Sequence, residues 1–293
     1  MKFAYIRDHR GVFDINVMCA VFNVTPAGFY AWHSRPDSAR AVRSRELAQQ
    51  IRVVHHDAKG VYGSIKITNE LRHRHVKVNR KTVAKLMQRL GIRSKVARKF
   101  RVQTTDSEHT NPIAPNTLDQ NFALADGPNK VWGADITCIY TGEGVLYLAG
   151  VMDLYSRKIV GWSMDDTMTT TLVEDAFTAA VATRTSSSRT AAFDLLHHSD
   201  RGVQYTSGRY RELLTLHGVQ ASMSRTGNCY DNAVVESFWG KLKSEMVYHE
   251  RFATKAQARA AVFEYIEMFY NRKRLHASLN YLSPEAFEAH RVG

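Results

Sequence analysis

Over the first ninety residues, apolar positions recur at helical spacing in short blocks separated by polar turns. Ile15, Met18, Val21 and Phe22 form one such stripe. Val24-Thr25-Pro26 follows it, a capping threonine before a proline at the first helical position, which predicts a second helix to about Trp32 and a helix-turn-helix pairing of the two. Leu47, Ile51, Val54 and Ala58 mark one face of a longer helix, and another is expected over 64–73. Asn79 caps a helix bearing Val83, Leu86, Met87 and Leu90, which Gly91 closes. From about Lys95 the periodicity fades. Residues 104–129 are polar, contain Pro112, Pro115 and Pro128, turn acidic, and read as a linker or an extended strap.

After Asn129 the apolar period shortens from about 3.6 residues to about 2. VWGADITCIY (131–140), VLYLAGVMD (145–153) and KIVGWSM (158–164) are β-rich runs separated by short turns, the pattern of an antiparallel meander. A helix over 169–182, a strand over 191–197, a helix over 206–217 ended by Gly218, a strand over 219–223 and a helix from near Asp231 follow. Two more helices, over 254–270 and 284–290, complete the chain. This order implies a mixed α/β sheet covered by helices. The expected division is an N-terminal helical segment (1–40), a basic helix-turn-helix-like DNA-binding domain (41–100), a linker (101–128) and a catalytic core with C-terminal helices (129–293).

Composition excludes several classes. At 293 residues and 44% hydrophobic, the chain suits about two globular domains and is not disordered overall. No stretch approaches the roughly 18 unbroken apolar residues of a membrane span, and MKFAYIRDHRGVF lacks the order of a signal peptide. A cytoplasmic protein with no membrane partner is expected. Cys19, Cys138 and Cys229 show no CxxC or CxxxH spacing, so they read as reduced, mostly buried thiols, not a disulfide framework or a zinc site. The net charge of +12 is uneven: residues 1–105 carry 22 basic and 6 acidic side chains, and 129–293 carry 18 of each. Such a basic half favours a polyanion through counterion release. Arg80, Lys81, Lys85 and Arg89 lie off the apolar stripe of their helix, placed for phosphate contact or groove docking.

Three acids stand where acids are costly. In VWGADITCIY the positions of Trp132, Ala134, Ile136 and Cys138 form an apolar face, so Asp135 projects from the other side of a strand that reads as central. Asp200, in HHSDRG, follows an apolar strand at its carboxyl end, where open α/β sheets place ligands. Glu236 lies near the start of a helix whose core stripe is Val235, Phe238, Trp239, Leu242 and Met246, at the edge of the buried face. Singly, each has a structural reading: a bonded strand aspartate, a turn aspartate before Gly202, a surface helix residue. Converging, they repel one another unless divalent cations neutralise them. All-oxygen ligands select Mg²⁺ or Mn²⁺, and two such ions about 3.5–4 Å apart serve phosphodiester chemistry. Asp153, Asp165, Asp166 and Asp194 close strands or enter turns, His197 reads as packed, His198 as lining the site, and Trp132, Trp162 and Trp239 as core.

Between Asp200 and Glu236 lie 35 residues, and Lys243 falls seven after Glu236 on the same helical face. This spacing resembles the Asp, Asp, thirty-five, Glu signature, with its downstream basic residue, of retroviral-integrase-like transposases. YGSIKI (62–67), APNTLDQNF (114–122), HHSDRGVQYTS (197–207), SRTGNCYDNAVVESFWGKLKSE (224–245) and FYNRKRLHASLNYLSPEAF (269–287) resemble the second-frame (OrfB) protein of the insertion-sequence-three family of bacterial transposases over nearly the whole chain.

The resemblance implies an α/β fold of ribonuclease-H-like, retroviral-integrase type: a mixed sheet with flanking helices, preceded by a small all-α helix-turn-helix-like region. It implies catalytic, metal-holding roles for Asp135, Asp200 and Glu236. Asp135 and Asp200 would share one Mg²⁺, and Asp135 and Glu236 the second, with Mn²⁺ able to substitute. Lys243 would contact DNA near the cleaved end, with Arg80, Lys81, Lys85 and Arg89 as further DNA-binding residues. The implied activity is cleavage at transposon ends followed by strand transfer from the freed 3′-hydroxyl. Implied partners are terminal-repeat and target DNA, further copies of the chain making at least a dimer in the synaptic complex, and the upstream-frame OrfA protein as frameshift fusion or partner. A bacterial, nucleoid-associated location follows. The alternatives are a ribonuclease-H-like nuclease without strand transfer and a non-catalytic DNA-binding regulator.

Overall fold

The computed structural model describes residues 1–96, 112–185, 194–224 and 232–290. Its centre is a five-stranded sheet of β1 (Val131–Thr141), β2 (Gly144–Asp153), β3 (Ile159–Asp165), β4 (Leu196–Ser199) and β5 (Gln220–Met223), ordered β3-β2-β1-β4-β5. The first three strands form the expected antiparallel meander, while β4 runs parallel to β1 and β5 parallel to β4. Alternation along β1 gives each face its own core. Trp132 and Ala134 join Leu172, Val173, Ala176 and Phe177 of α7 (Thr170–Thr185). Val131 and Ile139 join Val235, Phe238, Trp239 and Leu242 of α10 (Ala233–Glu245) and Val262 of α11 (Lys255–Phe263).

β4 lies later than the 191–197 expected for it. The run His197-His198-Ser199 reads as polar, yet all three are buried, because Tyr210 OH meets His197 Nε2 at 3.0 Å and the Ser222 and Ser224 hydroxyls lie 2.9 and 3.2 Å from the His198 ring nitrogens. Residues 191–193 of that expected strand lie outside the described residues. The helix expected over 206–217 is divided into α8 (Val203–Thr206) and α9 (Gly208–Leu216), because Ser207 is extended and its hydroxyl accepts the Tyr210 N–H. α11 continues as a π-helical stretch, Glu264–Tyr270, and α12 (Pro284–Ala289) ends the fold.

The N-terminal half is helical. α1 (Lys2–His9) is an addition to the expected elements, since it buries only Ile6 and carries no stripe. With α2 (Ile15–Val21) and α3 (Pro26–Ser34) it encloses a small core of Ile6, Met18, Cys19 and Phe29. α4 (Ala39–Asp57), α5 (Ser64–His73) and α6 (Arg80–Arg89) follow. Their buried residues, Leu47, Ile51, Ile67, Leu71 and Val83 among them, are continuous with the α10–α11 side of the sheet core. Polar bonds reinforce this seam: Tyr62 OH donates to the Lys273 carbonyl at 3.0 Å and accepts the Leu275 N–H at 2.8 Å, and Lys59 pairs with Glu264. Of the expected linker, residues 112–128 are described; Leu118 is buried, and its N–H and that of Thr117 donate to Ser222 Oγ. Residues 104–111 and Cys229 lie outside the described residues. No helix among the described residues is long and apolar enough to cross a membrane.

Candidate active site

Asp135 lies on β1, and Asp200 follows directly on the end of its parallel neighbour β4. The parallel β1–β4 register pairs Val131 with Leu196 and Gly133 with His198. Two residues beyond that last pair, Asp135 continues β1 on the face of Val131, and Asp200 is the first residue after β4. α10 covers that face. A Cβ on Gly133 would lie 2.7 Å from Val235 Cγ2, and one on Gly150, the β2 partner of Asp135, would lie 2.9 Å from Trp239 Cη2. The two glycines therefore admit the helix close to the strands. The Asn232 amide donates to the Ala134 carbonyl at 3.3 Å, and Trp239 Nε1 donates to Asp135 Oδ2 at 3.1 Å. Glu236, exposed in the first turn of α10, lies between these contacts in sequence.

Asp135 shows the consequence electrostatically. Burial, then repulsion from Asp200, push its carboxyl up to about 8, with Glu236 adding to the rise; N–H donors from Ile136, at 2.8 Å to Oδ1, and from Trp239 oppose it. All three acids thus share one electrostatic neighbourhood. Asp200 Oδ1 also accepts the Gly202 N–H at 2.9 Å, closing the turn after β4. Among the described residues, no three His, Cys, Asp or Glu side chains stand close enough to form a ready metal-binding group. The donor chemistry nevertheless fits a hard divalent cation: carboxylate oxygens only, with mutual repulsion that a cation would relieve.

The neighbouring groups have structural tasks. His197 packs by Phe177 and Tyr210, and burial pushes its imidazole down to about 3, so it is neutral. Asp153 is buried and accepts from the Asn129 and Tyr155 N–H groups and from Arg184. Trp132 is core, and Trp162 donates to Glu267. Trp239 is core too, and its bond to Asp135 leaves no signal in the sequence, where it is one more apolar residue on the α10 stripe.

The basic candidates lie elsewhere. Lys243 is half-buried, two turns along α10 from Glu236. Arg80, Lys81, Lys85 and Arg89 are all exposed on α6, whose Val83, Leu86 and Met87 face inward. The Asn79 side chain accepts the Lys81 N–H at 2.8 Å, as a cap should.

Residues 43–100 match a family model described as an HTH-like domain, and residues 125–229 and 236–292 match models described as integrase core domains. The chain is 44% identical over 270 residues to the insertion element IS600 uncharacterized 31 kDa protein of Shigella sonnei, covering 92% of this chain and 97% of that protein. It is 41% identical over 290 residues to transposase InsF for insertion sequence IS3A of Escherichia coli strain K12, covering 98% of each. Among solved structures, the HTLV-2 integrase catalytic core domain in complex with magnesium is similar, with a TM-score of 0.42 and 16% identity over 55% of this chain and 97% of that one.

Proposed function

The chain belongs to the insertion-sequence-three family of transposases, enzymes with an integrase-type catalytic core, and from that premise we propose that it cleaves phosphodiesters at transposon ends and transfers the freed 3′-hydroxyl to another DNA phosphodiester. In this reading water attacks the end phosphodiester and releases the 3′-hydroxyl, which then attacks a second phosphodiester directly, with no covalent protein–DNA intermediate. Asp135, Asp200 and Glu236 are the residues that would hold divalent cations, Mg²⁺ with Mn²⁺ as substitute. Bound there, the cations would activate the attacking oxygen and stabilise the leaving one.

The protein's own groups bind and orient. Lys243 holds DNA beside the cleaved end. Arg80, Lys81, Lys85 and Arg89 contact phosphates from the 41–100 unit. Because that unit shares a core with the sheet, DNA gripped by α6 is held by the same body that carries the carboxylates. At least two copies assemble on paired ends, and the upstream-frame OrfA protein contributes further end recognition. One observation carries the reading: Asp135 on β1 and Asp200 directly after the end of the parallel β4 are close enough to repel, with Glu236 near enough to add to the rise of the Asp135 carboxyl.

End-labelled terminal DNA incubated with the protein and Mg²⁺ tests this, scored for nicking, joining and binding. Nicking and joining are expected, and Asp135→Asn, Asp200→Asn and Glu236→Gln should each abolish both while leaving binding intact. Nicking without joining would favour a nuclease, binding alone a regulator. Near-normal cleavage by Glu236→Gln would overturn the assignment of α10.

A further inference from the structure

Trp239 lies one turn beyond Glu236 on α10, only 5% exposed, with its ring 4.8 Å from that of Phe238. Core packing explains a large apolar side chain there. It does not explain why the single polar atom of the indole meets one oxygen of the most central carboxylate, at 3.1 Å. The sheet has room for this contact because Gly150, paired with Asp135 across β1 and β2, leaves space for the far edge of the ring. Asn232 ties the start of the same helix to Ala134, so α10 is fastened to β1 before and after Glu236.

We propose that Trp239 is a positioning residue: its indole N–H holds Oδ2 of Asp135 against repulsion from Asp200 and Glu236, presenting the carboxylate already oriented for a divalent cation. This rests on the assignment of Asp135 as a cation ligand above. An indole is suited to the task because it donates without accepting and stays neutral, so it neither competes for the cation nor repels it. With the Ile136 N–H on Oδ1, each oxygen receives one donor and keeps lone-pair capacity for a metal. Such orienting bonds to ligand carboxylates typically change cation affinity about tenfold or more. Phenylalanine in the same place keeps an aromatic ring on the apolar stripe, though a smaller one, and leaves Oδ2 free to turn.

Two variants and one measurement on the unaltered protein test this. In Trp239→Phe the Mg²⁺ concentration for half-maximal cleavage should rise about tenfold, with the maximal rate approached at high Mg²⁺, and Mn²⁺ binding to the DNA-free protein should weaken by the same factor. Gly150→Ala, which displaces the indole without removing its N–H, should move both in the same direction. In the wild type labelled with ¹⁵N at its 4 tryptophans, substoichiometric Mn²⁺ should broaden the Trp239 indole signal ahead of that of Trp32. A folded Trp239→Phe protein with unchanged Mn²⁺ affinity would overturn the proposal. If that variant does not fold, unchanged Mn²⁺ affinity in Gly150→Ala overturns it by itself, whereas equal broadening of the Trp239 and Trp32 signals counts against the ligand assignment. Normal cleavage by Asp135→Asn would instead overturn the ligand assignment beneath it, so the two failures are distinguishable.

Discussion

Without divalent cations, the carboxylate cluster should make the protein less stable as pH rises, and Asp135→Asn should remove much of that loss. The folded carboxyl of Asp135 is pushed up to about 8 from an ordinary value of 3.8. Between those values the folded chain keeps a proton that the unfolded chain releases, so stability falls with increasing pH across that window. The slope is about 1.4 kcal/mol per pH unit for one such group, giving a loss of roughly 3 kcal/mol between pH 5 and pH 7. Asparagine has nearly the same shape, can still accept from Trp239, and cannot ionise. Its introduction also relieves Asp200 and Glu236, so the comparison measures their mutual repulsion together with the burial of Asp135. Urea denaturation of wild type and Asp135→Asn in EDTA at pH 5, 6 and 7 provides the assay. The curves should lie close together at pH 5 and separate in favour of the variant by pH 7, and Mg²⁺ should narrow the gap by stabilising only the wild type. Parallel stabilities across the range would refute the claim that Asp135 is desolvated and crowded by its acidic neighbours.

Other expected outcomes follow from the same geometry. Arg274→Met leaves Glu245 buried with its Tyr265 bond but without its paired guanidinium, a change expected to cost about 3–5 kcal/mol by denaturant melt; Glu245→Gln combined with Arg274→Met should cost clearly less. Gly133→Ala would place a methyl 2.7 Å from Val235 Cγ2, forcing α10 away from β1; about 1–3 kcal/mol of stability should be lost, and cleavage should fall further than DNA binding. Replacing Arg80, Lys81, Lys85 or Arg89 by alanine should lower the slope of log affinity against log salt by about 1 each, with an unaltered melting midpoint because all four are exposed.

The sheet and most helices were legible because the signals were local. Asp135 stood out against the apolar alternation of β1, Thr25-Pro26 and Asn79 announced helix starts, and Gly91 closes α6 with a φ of +66°. What was not legible depended on partners distant in sequence. His197, His198 and Ser199 read as a polar stop, but hydroxyls from α9, β5 and the residue after it satisfy the two imidazoles and extend the strand inward. A boundary near residue 100 looked natural because charge and periodicity change there, and no local pattern reveals that Ile51 and Phe269 share one core. The three acids were identifiable by their placement and spacing. The indole that grips one of them was not, since a tryptophan on a helix's apolar stripe has the same appearance whether or not its nitrogen has a task.

The seam sealed by Tyr62 also restricts how such elements could trade parts. Its hydroxyl is clasped by the backbone on both sides of Arg274, some two hundred residues downstream, while Ile51 and Leu71 rest in the hydrophobic mass that α10 and α11 complete. A recombinant inheriting 41–96 from one lineage and 129–270 from another would therefore bring together two surfaces shaped for other mates. Viable hybrids should carry the 273–282 segment and the helical unit as a single inheritance, so a lineage exchanging that unit would acquire the tail of the protein with it.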